Sequence, residues 1–166
     1  MEEIFIQTEE QRAILETVKK FVDDSILPRA AELDAKIKPE DGFSWEIIEE
    51  ADKLGLRTMT LEDQYNGFGA DSLTTAMVVE ELAKGDLGIS VVMAQTLKLA
   101  QIMDKALNDE QKARVLPEVA SDPRCLLAIG ITEPDNASNY FLPYPSSFRT
   151  TAEKTDGGWV VNGMKH

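Results

Sequence analysis

The stretch AIGITEPDNASNY, from Ala128 to Tyr140, holds the sharpest change of pattern in the chain. The apolar run Cys125–Ile131 is typical of a short strand, and it ends at Thr132, whose hydroxyl can donate and accept hydrogen bonds. Pro134 fixes the turn, and small residues around Ser138 leave backbone amides open to a ligand. The pattern suits an aromatic heterocycle with a polar edge and a diphosphate, although an ordinary turn with a solvated glutamate is the commoner arrangement.

The first two-thirds of the chain repeat apolar residues at helical spacing, which predicts an all-helical domain. Pro28 should kink or briefly interrupt the first helix. The third helix is expected to run to Leu82 and to turn five apolar residues inward, Leu73, Ala76, Met77, Val79 and Leu82. Leu87–Met103 is apolar on nearly every side and should be the most buried helix. The predicted helix-capping residues are Thr8, Ser44, Asp71 or Ser72, Asp86 and Asn108.

Beyond Asp122-Pro123 the helical period is lost. Cys125–Ile131, 147–155 and 158–163 are predicted strands, and Asp156-Gly157 is a hairpin turn signal between the last two. The predicted fold class is therefore α+β. An all-α domain over residues 1–121 precedes the beginning of an antiparallel β-domain over residues 122–166.

Composition narrows the classes of partner. The chain carries 30 acidic and 17 basic side chains, a formal net charge of −13, which repels nucleic acid and anionic membranes. The longest apolar segment, Leu87–Leu99, is too short and too often interrupted by polar residues to span a bilayer. The acidic N-terminus does not resemble a signal peptide. Neither nucleic acid binding nor membrane insertion is expected.

The single cysteine, Cys125, excludes a disulfide framework and suits a reducing compartment, either the bacterial cytoplasm or an equivalent. It is expected to be a packed strand residue rather than a nucleophile. The single histidine, His166, has no Cys or His neighbour at ligand spacing, so no metal site is expected. Arg149 and Lys165 are expected on the surface.

Four segments, in order, resemble motifs of the acyl-CoA dehydrogenase family. VDDSILPRAAELD resembles the family's first-helix pattern, and YNGFGAD resembles its glycine-rich turn. ITEPDNASN resembles its T-E-P-x-x-G-S-D segment, and TAEKTDGGWVVNGMKH resembles its hairpin ending in N-G-x-K. Four matches in the right order are far more specific than any one of them, and they extend over most of the chain.

The resemblance implies an N-terminal helical domain, a middle β-domain and a C-terminal four-helix bundle. It implies FAD as cofactor and α,β-dehydrogenation of an acyl-CoA thioester in fatty acid metabolism. A carboxylate takes the α-proton while a hydride leaves the β-carbon. An electron-transferring flavoprotein as acceptor and a homo-oligomer, usually a tetramer, are implied as well.

The resemblance also implies roles for particular residues. Ile131 and Thr132 are expected to contact the flavin ring, with the Thr132 hydroxyl bonding its pyrimidine edge. Ser138 matches a serine that approaches the FAD pyrophosphate and the thioester ligand. Gln95, polar within the most apolar helix, is expected at the floor of the acyl pocket, although a core glutamine bonded to backbone is an alternative.

The chain stops at His166, just before the family's flavin-covering W-I-T or W-I-S segment. The catalytic carboxylate of the family belongs to the C-terminal bundle. Residues 1–166 are therefore expected to be the N-terminal portion of such an enzyme and to be inactive alone. Two alternatives remain open: a same-fold flavin oxidase or non-CoA relative, and a catalytically silent helical scaffold.

Overall fold

The chain is helical from Glu9 to Ser121, with short connections, and ends in a two-stranded antiparallel sheet. The computed structural model describes residues 7–38, 40–136 and 148–166. This arrangement confirms the α+β fold class. The elements are α1 (Glu9–Phe21), a π-helical turn (Val22–Ile26), α2 (Leu27–Asp34), α3 (Trp45–Lys53), a 3-10 turn (Asp63–Tyr65), α4 (Ser72–Gly85), α5 (Leu87–Ala106), α6 (Asp109–Ser121), β1 (Thr151–Thr155) and β2 (Gly158–Asn162).

The chain divides into two compact units, which we call the helical unit (Met1–Ala128) and the β unit (Ile129–His166). In the β unit, β1 pairs with β2 in a register that places Thr151 opposite Asn162 and Thr155 opposite Gly158. The predicted hairpin turn at Asp156-Gly157 is confirmed. The domain boundary after residue 121 stays a prediction.

Side-chain caps start most of the helices, as the sequence predicts. Each cap accepts a hydrogen bond from the amide three residues later, which satisfies a donor that the helix itself leaves unpaired. Thr8 and Asn108 each form a reciprocal capping box with a glutamine, Gln11 and Gln111. The capping residues of α1, α3, α4, α5 and α6 are Thr8, Ser44, Asp71, Asp86 and Asn108.

Pro28 explains the π-helical turn between α1 and α2. It lies in the first turn of α2, where a missing N–H is tolerated, and the Leu27 amide reaches back five residues to the Val22 carbonyl. The turn is also a packing surface for α4. A Cβ at Gly85 would lie 2.8 Å from the Ile26 side chain and 2.9 Å from that of Val22, so α4 approaches the turn closely only because residue 85 is glycine.

Helix α5 contributes more buried residues than any other described helix, which confirms the prediction that it is the most buried. Its burial is one-sided, however. Leu87, Val91 and Ile102 remain exposed, so the helix is not covered on every side by the described residues. Over those residues, no helix combines the length and apolarity that a bilayer crossing needs.

The predicted inward face of α4 is right at Leu82 and wrong at Leu73 and Ala76. Leu82 is buried together with Thr74 and Val78, Met77 and Val79 are half-buried, Leu73 and Ala76 are exposed, and the helix continues to Gly85. Apolar residues occur on both sides of this helix, so periodicity alone does not set its rotation. Two contacts set it instead, because Asp71 caps the Thr74 amide at 2.7 Å and the Thr74 hydroxyl accepts a 3.1 Å hydrogen bond from Gln11.

The predicted strand at Cys125–Ile131 is also wrong, since these residues form no ladder. A strand requires a partner's backbone groups, and the described sheet contains only β1 and β2. The Leu127 amide instead donates to the hydroxyl of Thr96 on α5 at 3.2 Å. Cys125 packs against the cluster that includes Leu61 and Leu116, and burial raises the pKa of its thiol, which favours the inert protonated form.

A buried arginine holds the C-terminal end of α6. Arg57 is 1% exposed and lies in the segment that follows α3. Its Nε donates to Asp52 at 2.7 Å, and its terminal nitrogens donate to the carbonyls of Val119 at 2.5 Å and Ala120 at 3.1 Å. A third carbonyl, that of Cys125, lies 3.4 Å from Nη1. The cation thus satisfies carbonyls that the end of α6 leaves without helical donors.

We expect Arg57→Met to destabilise the chain by roughly 3 kcal/mol, because the Asp52 carboxylate and the last carbonyls of α6 would lose their donors. Urea denaturation followed by circular dichroism at 222 nm measures this loss. Arg12→Met is the matched control, since Arg12 is exposed on α1. Equal effects of the two substitutions would show that the buried guanidinium contributes no more than a surface one.

Candidate functional site

The turn after Thr132 is closed at both ends by backbone hydrogen bonds. The Glu133 amide donates to the Asn136 carbonyl at 2.8 Å, and the Asn136 amide donates to the Glu133 carbonyl at 3.1 Å. Pro134 makes the turn rigid, because its fixed φ suits the second position of such a turn. The turn therefore begins immediately after Thr132, as the sequence predicts.

The Glu133 side chain is buried in the β unit, with an exposure of 4%, and hydrogen-bond donors surround its carboxylate. It accepts hydrogen bonds from the amides of Arg149 at 2.6 Å and Thr150 at 3.0 Å. Lys165 Nζ donates to the same carboxylate at 2.9 Å. One carboxylate thus joins the turn to the start of the hairpin and to the segment after it.

These donors hold the pKa of the Glu133 carboxyl at about 2, below its ordinary value of 4.5. The hydrogen bond from Lys165 is the largest cause, burial opposes it, and the amides of Arg149 and Thr150 lower the pKa further. The carboxylate is therefore ionised throughout the neutral range. The expectation of a solvated glutamate at this turn is wrong.

Two neighbouring carbonyls beside the turn are occupied by the last residues of the β unit. Lys165 Nζ donates to the Ile131 carbonyl at 3.0 Å, and the His166 amide donates to the Thr132 carbonyl at 2.9 Å. Lys165 also lies over the ring of Phe148, 4.3 Å from its centroid. Lys165 is at the surface, as the sequence predicts, but its charge is paired and its position is fixed by these contacts.

The donors of Ile131 and Thr132 are left available. Among the described residues, nothing accepts from the amides of Ile131 and Thr132, and nothing pairs with the Thr132 hydroxyl. Both residues are half-buried. The result is a short stretch of fixed backbone that offers three donors and whose two carbonyls are already bonded.

Gly163 makes the return of the chain to this site possible. Its φ is +156°, and a Cβ there would collide with the Thr150 hydroxyl and lie 2.6 Å from the Thr150 Cα. A side chain would therefore meet backbone as well as adopt an unfavourable conformation. Only glycine lets residues 163–166 pass against Thr150 and place Lys165 and His166 on the carbonyls.

In the helical unit, Gln95 lies in the middle of α5 and is half-buried. Its Oε1 is buried without a hydrogen-bond partner among the described residues. Val91 precedes it by one turn on the same face and is exposed, as is Ile102 two turns later. Lys98, one turn after Gln95, is exposed on the same face, so this face of α5 carries a lysine as well as the exposed apolar side chains. Because the Gln95 Oε1 is unsatisfied, the alternative of a core glutamine bonded to backbone through that atom does not hold in the described residues.

Comparison with known proteins shows the family to which the chain belongs. Residues 8–123 match the family model described as acyl-CoA dehydrogenase, N-terminal domain. The chain belongs to the acyl-CoA dehydrogenase family. It is similar to a probable medium-chain specific acyl-CoA dehydrogenase 2 of Caenorhabditis briggsae, with 32% identity over 97% of this chain and 37% of that protein. The chain thus spans a little over a third of the length of that curated relative.

The chain is also similar to two solved structures of a glutaryl-CoA dehydrogenase from Mycobacterium smegmatis. One is 31% identical with a TM-score of 0.76, and the match covers 96% of this chain and 39% of that one. The other, in complex with FADH2, is 27% identical with a TM-score of 0.77, and the match covers 96% and 39% of the respective chains. The helical domain and the hairpin after it are therefore those of an acyl-CoA dehydrogenase fold.

The β unit of this family member fits a flavin at the level of hydrogen-bonding groups. The pyrimidine edge of an isoalloxazine presents chiefly acceptors, and the Ile131 and Thr132 amides and the Thr132 hydroxyl are available donors. Ser138, the predicted pyrophosphate contact, lies outside the described residues. Within those residues, no group of His, Cys, Asp or Glu side chains could hold a metal ion.

Two residues of the site were missed from sequence. Glu133 and Lys165 are separated by 32 positions along the chain, and neither belongs to a periodic pattern. Only the folded β unit brings the carboxylate and the ammonium together. The one available signal was the placement of an acidic residue directly at the end of an apolar run, which does not distinguish a buried carboxylate from a solvated one.

We expect Gly163→Ala to displace residues 163–166 and to destabilise the β unit by about 1–3 kcal/mol. Hydrogen exchange of the His166 amide, measured by NMR, should accelerate as its bond to Thr132 is lost. Gly157→Ala is the control, because a Cβ at that turn position meets nothing within 4 Å. An unchanged His166 exchange rate in Gly163→Ala would contradict the steric account.

The Glu133 carboxylate should also make the β unit sensitive to acid. Because its folded pKa of about 2 lies below the ordinary 4.5, its ionised form stabilises the fold above pH 4.5, and that contribution is lost as the pH falls toward 2. The stability difference between wild type and Glu133→Gln should therefore shrink over this window. Urea titrations followed by hairpin NMR signals measure it, and Glu153→Gln, at an exposed position of β1, should show no such trend.

Proposed function

We propose that this chain is part of an FAD-dependent enzyme that dehydrogenates the α,β-bond of an acyl-CoA thioester. The observation that carries the proposal is the set of three available donors at Ile131 and Thr132, beside carbonyls already bonded to Lys165 and His166. A flavin ring needs donors at its pyrimidine edge, and this stretch offers donors beside carbonyls that are already bonded. Membership of the family supports the same conclusion.

The chain's own residues would then bind the cofactor and tune it. The Thr132 hydroxyl and the amides of Ile131 and Thr132 would hold the acceptor edge of the isoalloxazine, and Ser138 would approach the pyrophosphate. When bound, FAD supplies the oxidant that takes up a hydride from the β-carbon of the acyl group. Donors at an edge that gains negative charge favour its reduced form, since they stabilise that charge in a half-buried place.

We assign the substrate-binding role in this chain to Gln95, with Ser138 as a second contact. The exposed apolar side chains of Val91 and Ile102 suit the hydrocarbon part of an acyl group. The unpaired Oε1 of Gln95 would accept a hydrogen bond from a substrate polar group or a bound water at the pocket floor. No residue of this chain is proposed as the base that removes the α-proton.

The family resemblance supports three further proposals: an electron-transferring flavoprotein as acceptor, a homotetramer, and a location in the bacterial cytoplasm or another reducing compartment. Sedimentation of the protein as its gene encodes it tests the tetramer. The absence of turnover by residues 1–166 alone also stays a prediction.

Thr132→Val tests the flavin contact, because it keeps the shape of the side chain and removes its hydroxyl. In the protein as its gene encodes it, we expect the FAD dissociation constant to rise by roughly tenfold to a hundredfold, the equivalent of about 1–3 kcal/mol. The reduction potential of the bound flavin should fall as well. Fluorescence titration and spectroelectrochemistry measure the two quantities.

Thr151→Val is the matched control, since Thr151 is exposed at the start of β1 and lacks a side-chain partner in the described ranges. It should change neither quantity. If Thr132→Val lowers the melting temperature but leaves FAD affinity and potential at their wild-type values, Thr132 is a structural residue and the proposed function loses its main support.

A further inference from the structure

Lys165 contacts three groups of the β unit, two at Ile131 and Glu133 and one at Phe148. Its Nζ lies 3.0 Å from the Ile131 carbonyl, 2.9 Å from the Glu133 carboxylate and 4.3 Å from the centre of the Phe148 ring. Gly130 faces the stem of the same side chain, since a Cβ there would lie 3.3 Å from the Lys165 Cβ. The ammonium group is therefore held in one place and is not a free surface charge.

Glu133 connects this lysine to the hairpin. Its carboxylate takes the amides of Arg149 at 2.6 Å and Thr150 at 3.0 Å, so it cannot swing away without leaving those donors unpaired. The Arg149 side chain is engaged elsewhere, because it bonds Asp135 at 2.7 Å on the exposed side of the turn. The ion pair thus ties Lys165 to a rigid backbone.

Peptide geometry transmits this restraint to Thr132. The Ile131 carbonyl and the Thr132 amide belong to one planar trans peptide and point in opposite directions. When Lys165 holds the carbonyl, it also fixes the direction of the Thr132 N–H. The next carbonyl, that of Thr132, is held by the His166 amide at 2.9 Å. The Cα of Thr132 therefore lies between two tethered peptide planes, and its β-branched side chain has few rotamers left.

We propose that Lys165, anchored by Glu133, is a positioning residue that orients the donors of Thr132 for a bound flavin. The proposal rests on the proposed function, because it assigns Thr132 a flavin to bind. Neither Lys165 nor Glu133 touches the ligand in this scheme. They act by holding the backbone in place. Their loss therefore weakens flavin binding even though the donors of Thr132 are still present.

The experiment uses Lys165→Met, which keeps the aliphatic stem, and Glu133→Gln, which keeps the shape of the carboxyl group. Lys154→Met and Glu153→Gln are matched controls at exposed positions of β1. FAD dissociation constants are measured in the protein as its gene encodes it. Lys165→Met should raise the constant by about tenfold, and the controls by less than about twofold.

A double-mutant cycle distinguishes positioning from general destabilisation. In the Thr132→Val background, Lys165→Met should raise the FAD dissociation constant by only about threefold, because one of the donors it positions is already gone. Equal effects in the two backgrounds would overturn the proposal. If Lys165→Met does not fold, Glu133→Gln takes its place in the same double-mutant cycle and tests the proposal in the same way.

A second readout needs no cofactor. In the apo protein, Lys165→Met should accelerate exchange of the His166 amide and shift the Thr132 NMR signals, whereas Lys154→Met should do neither. Unchanged signals would refute the positioning role even if FAD binding fell. If the signals respond but Thr132→Val leaves FAD binding unaffected, the proposed function fails and, with it, the flavin part of the inference.

Discussion

A buried ionised side chain needs hydrogen-bond or ion-pair partners to replace the water it has lost. Each unit of this chain is organised around one such group. In the helical unit the group is the Arg57 guanidinium, which binds Asp52 and the last carbonyls of α6. In the β unit it is the Glu133 carboxylate, which binds two hairpin amides and Lys165. Both charges use backbone groups far away in sequence, so each one specifies a tertiary arrangement.

The need to pair the buried charge of Glu133 also creates the candidate site. Once Lys165 is held by Glu133 and placed on the Ile131 carbonyl, and His166 on the Thr132 carbonyl, the two carbonyls of this stretch are occupied. The donors that remain are the amides of Ile131 and Thr132 and the Thr132 hydroxyl. A ligand with an acceptor edge fits that remainder, and this is the basis on which we propose a flavin.

Local signals in the sequence predicted local structure well. Thr8, Ser44, Asp86 and Asn108 begin their helices because a cap involves only the next three residues. The rotation of α4 was predicted only in part, with Leu82 buried as expected but Leu73 and Ala76 exposed, since it depends on a contact between Gln11 and Thr74, which lie 63 positions apart. The predicted strand at Cys125–Ile131 failed for a similar reason: apolar composition cannot supply the partner that a ladder needs.

The sequence by itself determined the helix starts, the hairpin turn, the buried character of α5 and the motifs that indicate the family. It also placed Thr132 directly before a turn, because Pro134 is a local constraint. Only the tertiary structure decided that Glu133 is buried with Lys165 as its partner and that Arg57 closes α6. The physical reason is that a buried charge pairs with whichever distant backbone groups the packed chain brings within hydrogen-bonding distance. A local sequence pattern does not indicate which groups these are.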